Sequence, residues 1–271
     1  MMTTPRPLIW GVLNVTPDSF SDGGDFLAPD AAIRRAHHMV EQGADVIDVG
    51  GESTRPGAAR VDAATEAERV VPVIEALVAS GLVVSVDTMN ASTARGAMEA
   101  GVRYVNDVSG GLADPMMFGV VAKSDVDYVL MHWRGHSSDM DSLAQYDDVA
   151  IDVAAELSQR ISQATDAGID SARIILDPGL GFAKNPQQNW DLLAGLDTIH
   201  TLGHRVLVGA SRKRFLGDLV EPGQPASARD GVSATLGALL AKRGVWGLRV
   251  HNPQAQREAL DVWQALSEGG Q

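Results

Sequence analysis

The sequence predicts an α/β fold, a (β/α)8 TIM barrel formed as one domain over residues 1–271, and three observations carry that prediction. Eight short apolar runs each stop on a polar residue or a glycine turn, stretches with helical periodicity lie between them, and the segments after the runs are longer than those before them. Parallel strands buried on both faces read as unbroken β-branched runs, and each pair needs a crossover helix between its members. No GxGxxG follows the first run, which argues against the alternative, an open doubly wound sheet.

Leu8–Leu13 stops on Asn14, Val46–Val49 on Gly50-Gly51-Glu52, Leu82–Val86 on Asp87, and Val102–Val105 on Asn106-Asp107. Tyr128–Met131 stops on His132, Ile174–Leu176 on Asp177, Val206–Ala210 on Ser211, and Leu248–Val250 on His251. After Asp177, Pro178 cannot donate to a ladder and so ends the strand. Helices are expected over Ala31–Gln42 and over Glu66–Ala79, the latter opened by the capping box Thr65-x-x-Glu68. Asn185-Pro186 reads as an N-cap followed by a first-turn proline. Val149, Val153, Leu157 and Ile161 form one apolar stripe, and Ala255, Ala259, Val262 and Leu266 form another after Asn252-Pro253.

Composition narrows the function. The chain of 271 residues is 45% hydrophobic, carries a formal charge of −13 and contains no cysteine. Disulfides, thiolate metal sites and cysteine nucleophiles are therefore excluded. The acidic balance argues against nucleic acid and acidic membranes as partners. No signal peptide fits ahead of the first strand and no apolar run reaches membrane-spanning length, so a cytoplasmic protein is expected. The few cations gather on one face of the expected barrel: Lys184 and Lys213 follow strand ends, and Arg55, Arg212, Arg214 and Arg249 join them on that face, a basic rim suited to small anions. That face also carries the long loops Val15–Asp25, Gly51–Ala64, Gly135–Tyr146 and Gly217–Ser227, whereas helix-to-strand turns such as Gly43-Ala44 are short.

Asp87, Asn106 and Asp177 converge at the mouth of such a barrel. Two carboxylates and an amide there could bind a metal, act as acid and base, or read a flat heterocycle. An ionised Asp accepts two parallel N–H bonds and so matches an N–C–N edge, Asn both donates and accepts, and Lys213 offers donors to a ring carbonyl or nitrogen. Strand alternation puts Arg249 and His251 on one side of the last strand, where barrels often bind phosphate. Asn14 on the neighbouring first strand offers an amide oxygen to Mg2+, which needs few protein ligands when a diphosphate supplies the rest. His132 reads as a core histidine bonded to backbone. No GxSxG, HExxH or paired-histidine spacing occurs, and a Schiff base at Lys213 is a minor alternative.

The chain resembles the dihydropteroate synthases at seven stretches in order along nearly its whole length. They are Gly11–Gly24 (GVLNVTPDSFSDGG), Asp48–Gly57 (DVGGESTRPG), Ser85–Thr88 (SVDT), Asn106–Gly111 (NDVSGG), Asp177–Lys184 (DPGLGFAK), Gly209–Gly217 (GASRKRFLG) and Arg249–His251 (RVH). The resemblance implies condensation of 6-hydroxymethyl-7,8-dihydropterin diphosphate with 4-aminobenzoate to give 7,8-dihydropteroate and pyrophosphate in folate synthesis. It implies that Asp87, Asn106, Asp177 and Lys213 bind the pterin, that Asn14 binds Mg2+, and that Arg249 and His251 hold the diphosphate. Thr54 and Arg55 would come from the second loop, and Phe182, Ser211 and Lys213 would border the 4-aminobenzoate pocket, which sulfonamides would contest. Asn14, Arg55, Lys213, Arg249 and His251 are the expected catalytic set, in a homodimer formed through helices away from the mouth. Asn252 and Asn90 depart from the family pattern; the first reads as an N-cap and the second as a slightly less positive rim. The alternative is a non-catalytic pterin-binding paralogue.

Overall fold

The computed structural model describes residues 5–16, 28–52, 61–135 and 142–269. Thr54, Arg55 and most of the first loop lie outside the described residues. Strands β1 (Leu8–Asn14), β2 (Val46–Gly50), β3 (Val84–Asp87), β4 (Tyr104–Asp107), β5 (Asp127–Met131), β6 (Ile174–Asp177), β7 (Arg205–Val208) and β8 (Gly247–Val250) pair in chain order. All pairings are parallel, and β8 closes on β1. Outside them lie α1 (Ala28–Glu41), α2 (Ala63–Ala79), α3 (Ala91–Glu99), α4 (Met117–Val121), α5 (Val149–Asp166), α6 (Pro186–Ala194), α7 (Leu196–His200), α8 (Asp230–Lys242) and α9 (Pro253–Gly269).

Helix boundaries follow local chemistry. Asn185 and Gln188 form a reciprocal capping box at α6, with Pro186 at its start, as expected. At α2 the expectation is corrected: the cap is Asp62, whose Oδ1 accepts from the backbone of Ala64 and Thr65 at 3.1 and 3.0 Å. A carboxylate also suits the positive end of a helix, so the earlier residue starts the element. Glu66, in that first turn, is buried and accepts from Thr88 Oγ1 at 2.7 Å and Asn90 Nδ2 at 2.9 Å. Asn90 is thus tied to a buried carboxylate rather than serving the rim. Asn252 accepts from the Ala255 amide at 3.1 Å, the expected N-cap of α9.

Because side chains alternate across a strand, the barrel has two separate apolar layers. The outer one packs strands against helices and includes Ile47, Leu130, Leu157 and Ile174. The inner one holds Trp10, Val46, Tyr104, Val129, Ile175 and Leu207, with the Trp10 and Tyr104 rings 4.7 Å apart. Each of the four inner aliphatics contributes about 1.5–3 kcal/mol by leaving water. This plug closes the lower barrel. Above it the inward positions turn polar: the register aligns Asn14, Gly50, Asp87 and Asn106 across β1 to β4 in one row.

Candidate active site

That polar row opens into a cavity of about 740 Å³ at the C-terminal ends of the strands. Asn14, Asn106, Asp177, Phe182, Ser211, Lys213, Arg249 and His251 all line it. Each sits at a strand end or in the loop that follows, so the parallel ladder fixes the spacing of residues far apart in sequence. Asp87 stands in the same row, level with Asn106 on the next strand. Its Oδ2 accepts from Arg249 Nη2 at 2.5 Å.

Arg249 is held from two sides. Its Nε donates to Asp48 Oδ2 at 2.6 Å, and the same oxygen accepts from Asn106 Nδ2 at 3.0 Å. Asp48 is fully buried and was not among the residues singled out by the sequence. Its signal was available: it is a charged residue at an inward position of the otherwise apolar run VIDVG. Burial opposes the charge on Arg249, but Asp48 and Asp87 keep its pKa above the ordinary arginine value. The Asp87 carboxyl is pushed up to about 7 by burial, against the pull of Arg249. Two of the five guanidinium N–H donors serve these carboxylates, which leaves three for a ligand.

Asp177 and Lys213 form the opposite wall. Asp177 Oδ1 accepts from the Gly179 amide at 2.7 Å. Burial raises the pKa of Asp177, offset in part by Lys213. Lys213 is lowered to about 8 by burial, with Asp177 working to keep it charged. The Lys213 ammonium donates to the Leu180 carbonyl and lies 4.8 Å from the centre of the Phe182 ring.

His251 is neutral. Burial, Arg249 and Arg212 together depress its pKa to about 3. Ser211 Oγ accepts from the His251 amide at 3.1 Å and lies 3.1 Å from His251 Nδ1. With the hydroxyl donating to Nδ1, the ring proton sits on Nε2, leaving an uncharged donor at the cavity.

Two expected rim cations are not free. Arg212 is paired with Asp230 through Nε at 2.6 Å and Nη2 at 2.7 Å. Lys184 is buried, and its donors go to protein acceptors. His132 is buried as expected, but its partners are the side chains of Glu156 and Lys184, not backbone. Sequence reasoning missed this because Glu156 lies 24 positions further on, on another element. Chemically, the site pairs a hydrogen-bonding wall for a planar ring with cationic and neutral donors for an anion, and Asn14 lies near the latter.

The family model described as "Pterin binding enzyme" matches residues 10–251. The dihydropteroate synthase of Mycobacterium leprae (strain TN) is 48% identical over 265 residues, covering 96% of this chain and 93% of that protein. The solved structure of Xanthomonas albilineans dihydropteroate synthase with 4-aminobenzoic acid superposes with a TM-score of 0.90 at 44% identity, covering 98% of this chain and 94% of that one. The same enzyme in complex with 7,8-dihydropteroate gives 0.87 at 41% identity, covering 98% and 95%.

Proposed function

This chain belongs to the dihydropteroate synthases, and from that premise we propose how its cavity divides between two substrates. The reaction condenses 6-hydroxymethyl-7,8-dihydropterin diphosphate with 4-aminobenzoate, giving 7,8-dihydropteroate and pyrophosphate in folate synthesis. The observation that carries the residue assignment is the division of one cavity into a ring-reading wall and an anion-binding wall.

Asp177 accepts the N–H donors of the pterin's N–C–N edge, Asn106 reads the adjacent ring atoms, and Lys213 donates to the ring carbonyl or nitrogen. Asp87 joins them on the pterin, with Arg249 Nη2 bonded to its Oδ2. The three spare donors of Arg249 and the Nε2–H of His251 receive the diphosphate oxygens. Phe182, Ser211 and Lys213 border the 4-aminobenzoate. Thr54 and Arg55 remain assigned to that side by resemblance alone.

Asn14 suits Mg2+: its amide forms no side-chain hydrogen bond among the described residues, and glycine at position 50 leaves that corner open. No cluster of three or more His, Asp or Glu among the described residues could hold a metal by itself, so the diphosphate would supply most of the ligands. When bound, Mg2+ would neutralise charge on the departing diphosphate.

The displacement is largely dissociative. The bond from the exocyclic methylene carbon to the diphosphate oxygen breaks first, and the electron-rich dihydropterin shares the positive charge. The amine nitrogen of 4-aminobenzoate then bonds to that carbon and loses a proton. An aromatic amine is nucleophilic when neutral, so the protein supplies position more than a base. Preorganised donors on Arg249 and His251 stabilise the charge that develops on the leaving group; removal of one such donor typically costs about 10²–10³ in rate.

No helix among the described residues is long and apolar enough to cross a membrane, and we assign the protein to the cytoplasm. The homodimer contact is assigned to α8 and α9, which pack together and expose Leu239, Val262 and Leu266 on the outer ring; light scattering at twice the chain mass is the expected result. The test of the activity is pyrophosphate release with both substrates present. Release dependent on each substrate is expected, whereas tight pterin binding with no release would identify a non-catalytic homologue.

A further inference from the structure

Lys184 has no part in the roles above, yet it is buried at the end of the loop that carries Phe182. Its three N–H bonds have three acceptors: the carbonyls of Gly179 at 3.0 Å and Phe182 at 3.1 Å, and His132 Nδ1 at 3.0 Å. No donor is left for a substrate. His132 is equally committed. Burial and the Lys184 charge push its pKa down to about 4, so it is neutral, accepting at Nδ1 and donating from Nε2 to Glu156 at 2.9 Å.

Glu156, on α5, in turn grips the Arg134 guanidinium. Arg134 Nη1 donates to the carbonyls of Leu143 and Gln145, at 3.1 and 2.5 Å, and its guanidinium carbon lies 3.8 Å from the centre of the Tyr146 ring. One continuous chain of contacts therefore joins the segment after β5 to the segment after β6. The backbone it meets there is left-handed at three positions, one of them not glycine. Gly179, Gly181 and Ala183 have φ of +69°, +73° and +47°. For Ala183 the left-handed region costs about 1–2 kcal/mol. A Cβ at Gly179 would come within 2.2 Å of the His132 carbonyl oxygen, so the loop is pressed directly against the end of β5.

We propose that Lys184, His132, Glu156 and Arg134 form a positioning relay that holds the Gly179–Phe182 loop, and with it the 4-aminobenzoate side of the cavity, in its binding shape. This rests on the reading that Phe182 borders that substrate. The pterin wall depends on it less, because the backbone of Asn106 and Asp177 is fixed by the barrel ladder and the loop reaches that wall only through the Gly179 amide on Asp177 and the Leu180 carbonyl on Lys213. Lys184 is a positioning residue: it acts through the two carbonyls it bonds.

The charge state of Lys184 supplies a distinct signature. Lys213 and Asp177 face it from the barrel, His132 and Arg134 from the end of β5, and Glu156 from α5. Burial, Lys213 and Arg134 depress its pKa, Asp177 and Glu156 raise it, and it lies at about 7. Below that pH the ammonium satisfies all three acceptors; above it the neutral amine has two N–H bonds for three acceptors.

Glu156→Ala tests the relay from its far end, away from the cavity wall, with Glu156→Gln as the conservative variant. At saturating pterin diphosphate, Glu156→Ala should raise KM for 4-aminobenzoate at least fivefold, with kcat within twofold and a clearly smaller loss of pterin affinity, and Glu156→Gln should fall between. In the wild type, 1/KM for 4-aminobenzoate should decline as pH rises through about 7, and in both variants that decline should begin at lower pH. Hydrogen exchange should quicken over 179–184 in Glu156→Ala and stay unchanged over β4. Equal changes in both substrates' parameters, or a lowered melting temperature with KM and its pH profile unmoved, would overturn the relay. If the wild type forms no dihydropteroate, the functional reading fails instead; hydrogen exchange still decides the relay, and unchanged exchange over 179–184 overturns it.

Discussion

Replacing Asp177 by Asn removes one charge from the pterin wall while keeping size and shape. The geometry dictates how the amide would sit. The Gly179 amide donates to Asp177 Oδ1 at 2.7 Å, so Asn must keep its oxygen there and turn its NH2 group toward the cavity. A ring N–H that met a carboxylate oxygen then meets another donor. The lost charge-assisted hydrogen bond is worth about 1.5–3 kcal/mol, and a buried donor left facing a donor costs about 1–3 kcal/mol more. Together they predict a loss of about 2.5–6 kcal/mol, or roughly 10²–10⁴-fold in pterin affinity. Folding should suffer much less. Burial already disfavours the Asp177 charge, so its removal relieves a cost that offsets the loss of a partner for Lys213. Calorimetric titration with a 6-hydroxymethylpterin, beside a thermal melt, gives both quantities. Unchanged pterin affinity in a folded variant would refute the assignment of Asp177 to the ring edge.

Three further outcomes are expected. Lys213 titrates at about 8, so pterin affinity should weaken as pH rises above 8, and an affinity constant from pH 7 to pH 10 would remove Lys213 from the pterin contacts. Stability responds in the opposite sense, because the folded pKa is depressed from 10.5: the unfolded chain binds the extra proton between about 8 and 10.5, so this group's cost is full below 8 and relieved as pH rises through that window. Excess chelator should reduce turnover far more than binding of a pterin lacking the diphosphate, since the metal is assigned to the leaving group; turnover that persists would exclude that role. Asp148→Ala deletes the α5 cap, whose Oδ1 accepts from Ala150 and Ile151 at 3.0 and 3.1 Å, and should cost about 1 kcal/mol, lowering the melting temperature by roughly 2–4 °C with kcat unchanged.

Much of the site was legible because barrel chemistry gathers at strand ends, and a strand end shows in one dimension as an apolar run that stops. Asn14, Asn106, Asp177 and His251 were found in this way and do meet at one cavity. Asp48 escaped because it lies inside a run, where a polar residue signals only once the facing side of the strand is known. Lys184 was visible as a cation but read as part of a free rim. Its burial, and the three acceptors that use its protons, come from elements 2 to 52 residues away.

The sequence by itself determined the alternation of strands and helices, the closed barrel that eight such units form, and the side of it that carries the chemistry. These follow from local rules: apolar periodicity, caps and turns act over a few residues and repeat along the chain. The partners of the charge buried at the site were decided by the tertiary structure alone. Arg249 meets Asp48 and Asp87 from 201 and 162 positions away. Barrel closure brings β8 against β1 and sets these groups in one low-dielectric interior, where a buried charge must find its counter-charge whatever its place in the chain.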